Sequence, residues 1–369
     1  MLFARSSFGT AVLLLTARNI ARHKRTMAEE RLKTVMGHLQ GGSMTNLMKV
    51  WEEKTLFDDV NKRLSSNSSN SETYYRYTLD DPHLSKEQRD FYEDNGFLVI
   101  RRLVNQADLD KYKHRFQEVA EGRVKIPGLV VMKDIAFAKE NSDEKVVNKL
   151  QELYLDDVLF SYCTLPQILD YSACFCGPNM MAVHTMLINK PPDVGTLTSR
   201  HPLHQDLYYF PFRPAQRIVC AWTALEKVTR ENGCLVAIPG SHKGTLLEHD
   251  YPEWEGGVNK MYHGVKNLSE KEMQNRVYLE MEAGDTVFFH PILIHGSGAN
   301  RTKGFRKAIS CHYAASECEY IDIAGTPQEV IAKEVLEISR RRFPGLKLQS
   351  YADVWKLRAR LVRGLEVNI

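Results

Sequence analysis

Short apolar runs separated by turn residues dominate the chain from Met180 onward. The runs cover residues 180–189, 204–210, 218–225, 234–238, 286–289, 292–295 and 307–313, and they are rich in Val, Ile, Phe and Thr, with Pro, Gly and Asn between them. Short strands with turn signals at this spacing are typical of an antiparallel sandwich or barrel. We therefore expect a mainly β fold: a double-stranded β-helix, or jelly roll, with a pocket between its sheets and flanking α-helices.

The chain before these strands carries helical signals. Ser85 and Gln88 have the spacing of a capping box, which predicts a helix through Tyr92 that ends at Asn95 and Gly96, followed by a strand over residues 97–100. Apolar residues at positions 109, 112, 116 and 119 predict a second helix at about residues 106–120. An amphipathic, charged stretch at 327–341 predicts another helix, packed on the outside of the domain.

The first 26 residues contain five basic residues and neither Asp nor Glu, which is the composition of an organellar transit peptide. Because the formal charge of the whole chain is only +3, the remainder is not basic, and nucleic-acid binding is not indicated. Residues 31–39 read Arg-Leu, five residues, His-Leu, and resemble a type-2 peroxisomal targeting signal; an ordinary surface helix is the alternative. We expect a targeting leader over 1–43, a linker over 44–73 that includes the polar run 65–71, and one domain over 74–369.

The leader predicts a destination. We expect the peroxisome, reached through the import receptor for type-2 signals, and the mitochondrion as a second destination if the residues before Met27 are translated. A secretory signal is the alternative, but seven cysteines without a CxxC pair favour buried free thiols in a reducing compartment. The apolar run 11–17 is too short for a membrane span, so we expect none.

A candidate metal site is spread over two of the predicted strands. His204 and Asp206 are two residues apart, and such residues point to the same face of a strand. His295 ends the predicted run 292–295 and is followed by small residues. Two histidines and one carboxylate occupy one face of an octahedral ion and leave the other positions open, as in non-haem ferrous oxygenases. We predict His204, Asp206 and His295 as metal ligands.

Arg306 stands at the start of the strand that follows. Its guanidinium could bind the far carboxylate of a dicarboxylic cosubstrate through two parallel hydrogen bonds; a surface salt bridge is the alternative. Of the other histidines, His201 should point away from His204, because three residues separate them along the strand. His184 and His312 should lie in the core or support the ligands.

Eight stretches of the sequence resemble the phytanoyl-CoA dioxygenase family. The resemblance covers nearly everything after Tyr74, together with the targeting motif, whereas the first 26 residues and the Ser/Asn linker depart from it. The matching stretches are Glu93–Ile100, His184–Pro192, Ser199–Asp206, Phe210–Pro214, Asn232–Leu235, Trp254–Lys260, Gly284–Pro291 and Gly304–His312.

This resemblance implies an Fe(II)- and 2-oxoglutarate-dependent dioxygenase. Its expected reaction is 2-hydroxylation of a branched-chain acyl-CoA, phytanoyl-CoA to 2-hydroxyphytanoyl-CoA, in peroxisomal fatty-acid α-oxidation, with O₂ as oxidant and ascorbate as a further cofactor. It implies the same three metal ligands, and Arg306 as the residue that binds 2-oxoglutarate. It adds Lys149, Met186, Trp222 and Ser297 as cosubstrate-pocket residues, which taken alone would read as a helix-surface lysine, two core residues and a turn serine.

Two other functions remain open from sequence. A zinc hydrolase could use the same three ligands to activate water, but it leaves Arg306 unexplained. A non-catalytic binding relative would normally lack a ligand, and none is missing. Arg200, Lys260 and Arg217 are candidates to bind the phosphates of CoA, although solvated surface charge explains each of them better.

Overall fold

Two antiparallel sheets form the framework of the fold. The computed structural model describes residues 75–134, 147–195, 197–255, 257–345 and 347–369. These residues belong to a compact unit spanning Thr73–Ile369. The predicted leader, with its motif at 31–39, and the predicted linker lie outside the described residues.

The larger sheet has eight strands in the order β1-β12-β7-β14-β4-β3-β2, with β16 paired to β4. The long strand β14 lies at its centre, between β4 and β7, and its pairing with β4 extends over its whole length. The strands are β1 (Phe97–Ile100), β2 (Val130–Lys133), β3 (Val147–Gln151), β4 (Met180–Lys190), β7 (Ile218–Ala224), β12 (Thr286–Phe289), β14 (Arg306–Ala315) and β16 (Arg360–Arg363).

The smaller sheet has four strands in the order β11-β8-β13-β5. They are β5 (His201–His204), β8 (Leu235–Ala237), β11 (Val277–Leu279) and β13 (His295–Ser297). Two short pairs complete the described strands: β9 (His249–Asp250) with β10 (Gly264–Val265), and β6 (Phe212–Arg213) with β15 (Glu319–Tyr320). The predicted jelly-roll fold is confirmed.

Helices flank the sheets as predicted. The described helices are α1 (Lys86–Asn95), α2 (Gln106–Ala120), α3 (Asp157–Phe160), α4 (Pro166–Cys176), α5 (Glu270–Gln274), α6 (Glu329–Arg342) and α7 (Tyr351–Arg358). The capping box is present: Ser85 Oγ accepts from the Gln88 backbone N–H at 3.2 Å, and Gln88 Oε1 accepts from the Ser85 N–H at 3.0 Å. Gly96 ends α1 at a φ of 80°, a left-handed conformation that favours glycine.

Two predicted strands are wrong. The run 204–210 is not a strand: β5 ends at His204, and residues 206–209 form a 3₁₀ turn. The carbonyls of this segment are bound by one side chain instead of a neighbouring strand. Gln328 Nε2 donates to the carbonyls of Leu207 (3.0 Å) and Phe210 (2.9 Å). The run 292–295 is not a strand either, since the Leu293 N–H closes a turn onto the His290 carbonyl at 2.9 Å. His295 therefore begins β13 rather than ending a strand.

All seven cysteine thiols are free and buried, as predicted. Five of them belong to the main hydrophobic core, and Cys220 and Cys234 belong to a second, smaller core cluster. Among the described residues, no helix combines the length and the apolar character that crossing a bilayer requires.

Candidate active site

Strand pairing brings the three predicted ligands together. In the pairing of β13 with β5, His295 lies directly opposite His204, and the two ring centroids are 4.3 Å apart. Gln205 keeps an extended backbone, so the side chain of Asp206 returns to the face of His204 although β5 has ended. Asp206 Oδ1 is 3.2 Å from His204 Nε2, and its Oδ2 is 3.7 Å from His295 Nε2. The three residues form a buried cluster with the geometry of a cation site.

The backbone fixes which ring nitrogens face this cluster. The Nδ1 of His204 lies 2.9 Å from the carbonyl of Pro202, and the Nδ1 of His295 lies 3.0 Å from the carbonyl of Leu293. A carbonyl only accepts, so each Nδ1 carries the proton and each Nε2 presents a lone pair. Burial also lowers the pKa of His295 to about 4, which keeps this ring neutral at physiological pH.

The carboxylate of Asp206 is ionised and oriented by a fourth residue. Burial acts to raise the pKa of Asp206, but the neighbouring His295 and His312 outweigh it and hold the pKa well below its ordinary value. His312 Nε2 donates to Asp206 Oδ2 at 2.8 Å, the supporting role expected of this histidine.

The donor set fits a divalent metal. Two imidazole lone pairs and a carboxylate converge in a buried space, and a cation bound between them would satisfy all three at once. Two nitrogens and one oxygen suit ferrous iron with positions left open for other ligands, so His204, Asp206 and His295 could hold it.

Arg306 is buried with most of its hydrogen-bonding capacity unused. Its side chain is 1% exposed, and Nη2 donates to the carbonyl of Gly233 at 2.6 Å. Among the described residues, Nε and Nη1 have no partner. Burial lowers the pKa of Arg306 to about 10, which still leaves it charged at neutral pH. A buried cation with unused donors is costly unless an anion binds there, so this guanidinium could hold a carboxylate.

All eight predicted site residues line one cavity of about 70 Å³, here called the inner cavity. Met186 and Trp222 lie on either side of Ser310 in the pairing of β4, β14 and β7, which places all three in one row. Ser297, at the end of β13, lines it from the smaller sheet.

Lys149 differs from the helix-surface residue that its sequence alone suggests. It lies in β3, is 5% exposed and places Nζ 4.5 Å from the ring centroid of Tyr262. Its neighbours on β3 gave no clear signal of this burial, because the strand mixes Val, Asn, Lys, Leu and Gln.

The prediction for His201 is wrong. Its ring stacks on that of His204, with centroids 4.3 Å apart and planes 6° from parallel, and on Tyr262 at 4.1 Å. The reason is a bulge: three residue steps along β5, from His201 to His204, oppose only two steps along β13. One extra residue reverses the alternation of side chains and puts both histidines on the same face.

Sequence reasoning missed other residues of the inner cavity, among them Lys190, Ser310 and Tyr262. Lys190 is buried and donates Nζ to the carbonyls of Ser199 and, at 2.9 Å, Gly298. Ser310 and Tyr262 also line the cavity. The two-residue period of β14, counted from Arg306, would have found Ser310.

A second, outer cavity of about 510 Å³ adjoins the first. Both are lined by Lys149, Met186, His201, His204, Asp206 and Tyr262, so they meet at the candidate metal ligands. Helices α6 and α7 wall the outer cavity, so α6 does not pack simply on the outside as predicted.

The three sequence candidates for binding the CoA phosphates lie in different places. Lys260 lines the outer cavity. Arg200 packs its guanidinium carbon 3.9 Å from the ring centroid of Trp254, and Arg217 donates to the carbonyl of Phe175 at 3.1 Å. Neither of these arginines lines the inner or the outer cavity.

Solved structures share this fold. EctD from S. alaskensis, determined with 2-oxoglutarate and 5-hydroxyectoine, matches with a TM-score of 0.51 and 17% identity over 67% of this chain and 81% of that one. The epimerase SnoN, determined with Fe³⁺, α-ketoglutarate and nogalamycin RO, matches with a TM-score of 0.50 and 21% identity over 64% and 85%. At these identities the matches establish the jelly-roll fold alone.

Sequence relatives identify the family. The family profile described as phytanoyl-CoA dioxygenase (PhyH) matches residues 92–308. The peroxisomal phytanoyl-CoA dioxygenase of Homo sapiens is 52% identical over 93% of this chain and 98% of its own length. The corresponding protein of Mus musculus is 51% identical over 93% and 99%. This chain belongs to the phytanoyl-CoA dioxygenase family.

Proposed function

We propose that this chain is an Fe(II)- and 2-oxoglutarate-dependent dioxygenase that hydroxylates the 2-position of branched-chain acyl-CoA thioesters, with phytanoyl-CoA as substrate and 2-hydroxyphytanoyl-CoA as product. The names of its relatives support the substrate. One observation supports the chemistry above all: two imidazole lone pairs and a carboxylate converge in the same cavity as a buried arginine with unused donors. A zinc hydrolase would leave this arginine without a role.

In this proposal His204, Asp206 and His295 hold the iron, and Arg306 binds the far carboxylate of 2-oxoglutarate. Lys149, Met186, Trp222 and Ser297 shape the space between them. With both bound, the chemistry is a coupled oxidation: O₂ supplies one oxygen atom to succinate and one to the product hydroxyl, and 2-oxoglutarate loses CO₂. Ascorbate would serve as the reductant that keeps the iron ferrous.

The protein's own contribution is positioning and exclusion. The backbone carbonyls behind His204 and His295 fix the rings so that only Nε2 faces the iron. The apolar walls of the outer cavity hold the acyl-CoA with its α-carbon at the point where the two cavities meet. The same walls keep water and small molecules away from the oxidant.

The direct test is 2-oxoglutarate turnover by the purified protein. We expect succinate to form with ferrous iron, and its rate to rise severalfold when phytanoyl-CoA is added, with 2-hydroxyphytanoyl-CoA as the second product. An iron-loaded protein that consumes no 2-oxoglutarate in the presence of phytanoyl-CoA would contradict the proposal.

We further propose that the protein acts in peroxisomes through residues 31–39, with mitochondria as a second destination when translation begins at Met1. The support is the sequence motif and the word peroxisomal in the names of the relatives. A reporter fused after residue 43 and translated from Met27 should enter peroxisomes. Arg31→Ala or His38→Ala should leave it in the cytosol, and unchanged import of both variants would refute the motif.

A further inference from the structure

We propose that three cations lining the outer cavity, Arg342, Lys260 and Arg360, bind the phosphate groups of the CoA moiety. The inference rests on the proposed function, because it specifies how the acyl-CoA lies in the cavity. None of the three residues belongs to the candidate metal or 2-oxoglutarate site. The first two lie on different elements, and all three line the outer cavity.

Helix α6 gives the outer cavity a direction. Val335, Ile338, Ser339 and Arg342 line it, and their spacing of three, four and seven residues forms one stripe along the helix. At 1.5 Å per residue, this stripe is about 10 Å long. Arg342 is its C-terminal end.

The other end of α6 is attached beside the candidate metal ligands. Gln328, at the N-terminus of the helix, donates to the carbonyls of Leu207, Tyr208 and Phe210, which directly follow Asp206. Arg342, in contrast, donates Nη2 to the carbonyl of Leu129 at 3.0 Å. The cavity therefore extends from the metal site, along an apolar stripe, to a terminal cation.

Within the part of the chain that the structure describes, these three cations have no carboxylate partner. Arg342 and Lys260 are exposed, and among the described residues neither they nor Arg360 form an ion pair with a carboxylate. Arg360 packs its guanidinium carbon 3.9 Å from the ring centroid of Tyr154, which holds it in place. The acid Glu152 also lines the cavity, but it is paired with Arg358 at 2.8 Å. As far as the described residues show, the positive charge of the three cations is not compensated by a carboxylate.

The chemistry of an acyl-CoA fits this layout. Hydroxylation of the α-carbon requires the thioester carbonyl beside the iron site, and the phosphates then lie at the far end of the uncharged pantetheine arm. Uncharged side chains such as Ile338, Phe343, Leu348 and Val354 also line the outer cavity, where the pantetheine arm can pack. Arginine is well suited to bind phosphate because its planar fork donates two parallel hydrogen bonds.

The chain offers a matched control for Arg342. Basic residues in the last turn of a helix stabilise it through its dipole, which is the ordinary structural role of the run Arg340–Arg342. Arg341 shares that role and is exposed, but it does not line the cavity. A comparison of Arg341→Ala with Arg342→Ala therefore separates helix stability from ligand binding.

The experiment measures kcat and KM with two substrates that carry the same acyl group, phytanoyl-CoA and phytanoyl-pantetheine, the second of which lacks every phosphate. We expect Arg342→Ala and Lys260→Ala each to raise the KM for phytanoyl-CoA about tenfold, with kcat nearly unchanged. The KM for phytanoyl-pantetheine should stay the same in both variants. Arg341→Ala should leave both constants at the wild-type values.

Two results would overturn the inference, and they differ from failure of the proposed function. If Arg342→Ala and Lys260→Ala behave like Arg341→Ala, or if both thioesters lose affinity equally, these cations do not bind the phosphates while the hydroxylase activity stands. If the wild-type protein hydroxylates neither thioester, the proposed function fails first, and this inference fails with it.

Discussion

The inner and outer cavities differ in how their walls are built. Paired strands supply much of the inner one, so several of its side chains are held by the register of a sheet: His204 opposite His295, and Met186 and Trp222 beside Ser310. Helices α6 and α7 supply much of the outer one, with a stripe of mostly apolar side chains. Residues 309–369, and therefore both helices, lie beyond the match to the family profile. Under the proposed function, the inner cavity carries the oxidation and the outer cavity selects the substrate.

We expect the largest effects on activity from replacing the three candidate metal ligands of the inner cavity. We expect His204→Ala, Asp206→Ala and His295→Ala each to lower turnover by about a thousandfold or more, because each removes one of three ligands. Iron content per chain and activity should fall together while the thermal unfolding midpoint shows that the protein remains folded.

The matched control is His201→Ala, which removes a ring that stacks on His204 without being a predicted ligand. It should retain its iron. Loss of iron in this variant, together with normal iron in any of the three ligand variants, would show that the ligands are assigned wrongly.

The next largest effect should come from Arg306→Lys. Lysine keeps the charge but lacks the fork, and losing one charge-assisted hydrogen bond costs about 1.5–3 kcal/mol. The KM for 2-oxoglutarate should therefore rise roughly ten- to a hundredfold. The KM for phytanoyl-CoA and the iron content should change little. Unaltered saturation by 2-oxoglutarate would make Arg306 structural and turn attention to Lys149.

Replacing His312, which orients Asp206, should reduce iron binding less than replacing a ligand itself. His312→Phe keeps the ring packing but removes the N–H that Asp206 accepts at 2.8 Å, so iron affinity should fall about tenfold. Competition with a fluorescent chelator measures this. The control is His184→Phe, because His184 lies opposite His312 on β4 and, among the described residues, forms no hydrogen bond with Asp206. Equal losses in both variants would mean that packing, rather than the hydrogen bond, is responsible.

The smallest effect should appear in the outer cavity. Val335→Phe adds bulk to the stripe of α6 and should raise the KM for phytanoyl-CoA about fivefold through steric exclusion. The KM for 2-oxoglutarate should not move. Val330→Phe is the control, since Val330 is 65% exposed on the same helix and does not line the cavity. If both variants behaved alike, α6 would not contribute to substrate selection.

The division between the cavities also separates what the sequence could predict from what it could not. The spacing of His204 and Asp206, and the position of Arg306, predicted how these residues meet, because alternation along extended backbone is local. The position of His201 was predicted wrongly because a bulge arises from the pairing of β5 with β13, which no local pattern encodes.

Helix α6 illustrates the same limit. Its amphipathic pattern predicted a helix over 327–341, and the structure has Glu329–Arg342. Such a pattern indicates which face is covered but not what covers it. The cavity beneath that face depends on residues from β2, β3 and the segment after Asp206, far away in sequence. The place of Lys149 in the inner cavity could not be predicted from local sequence for the same reason, and only the family resemblance indicated it.

The central claim, that the three ligands hold iron for an oxidation that Arg306 couples to 2-oxoglutarate, is tested most directly by metal exchange with identification of the product. The protein is stripped of metal with a chelator and reconstituted with Fe²⁺ or Zn²⁺ in the presence of phytanoyl-CoA, 2-oxoglutarate and O₂. We predict that Fe²⁺ alone restores activity and that succinate and 2-hydroxyphytanoyl-CoA form in equal amounts. Restoration by Zn²⁺ with release of free CoA, and no succinate, would contradict the account and identify a hydrolase.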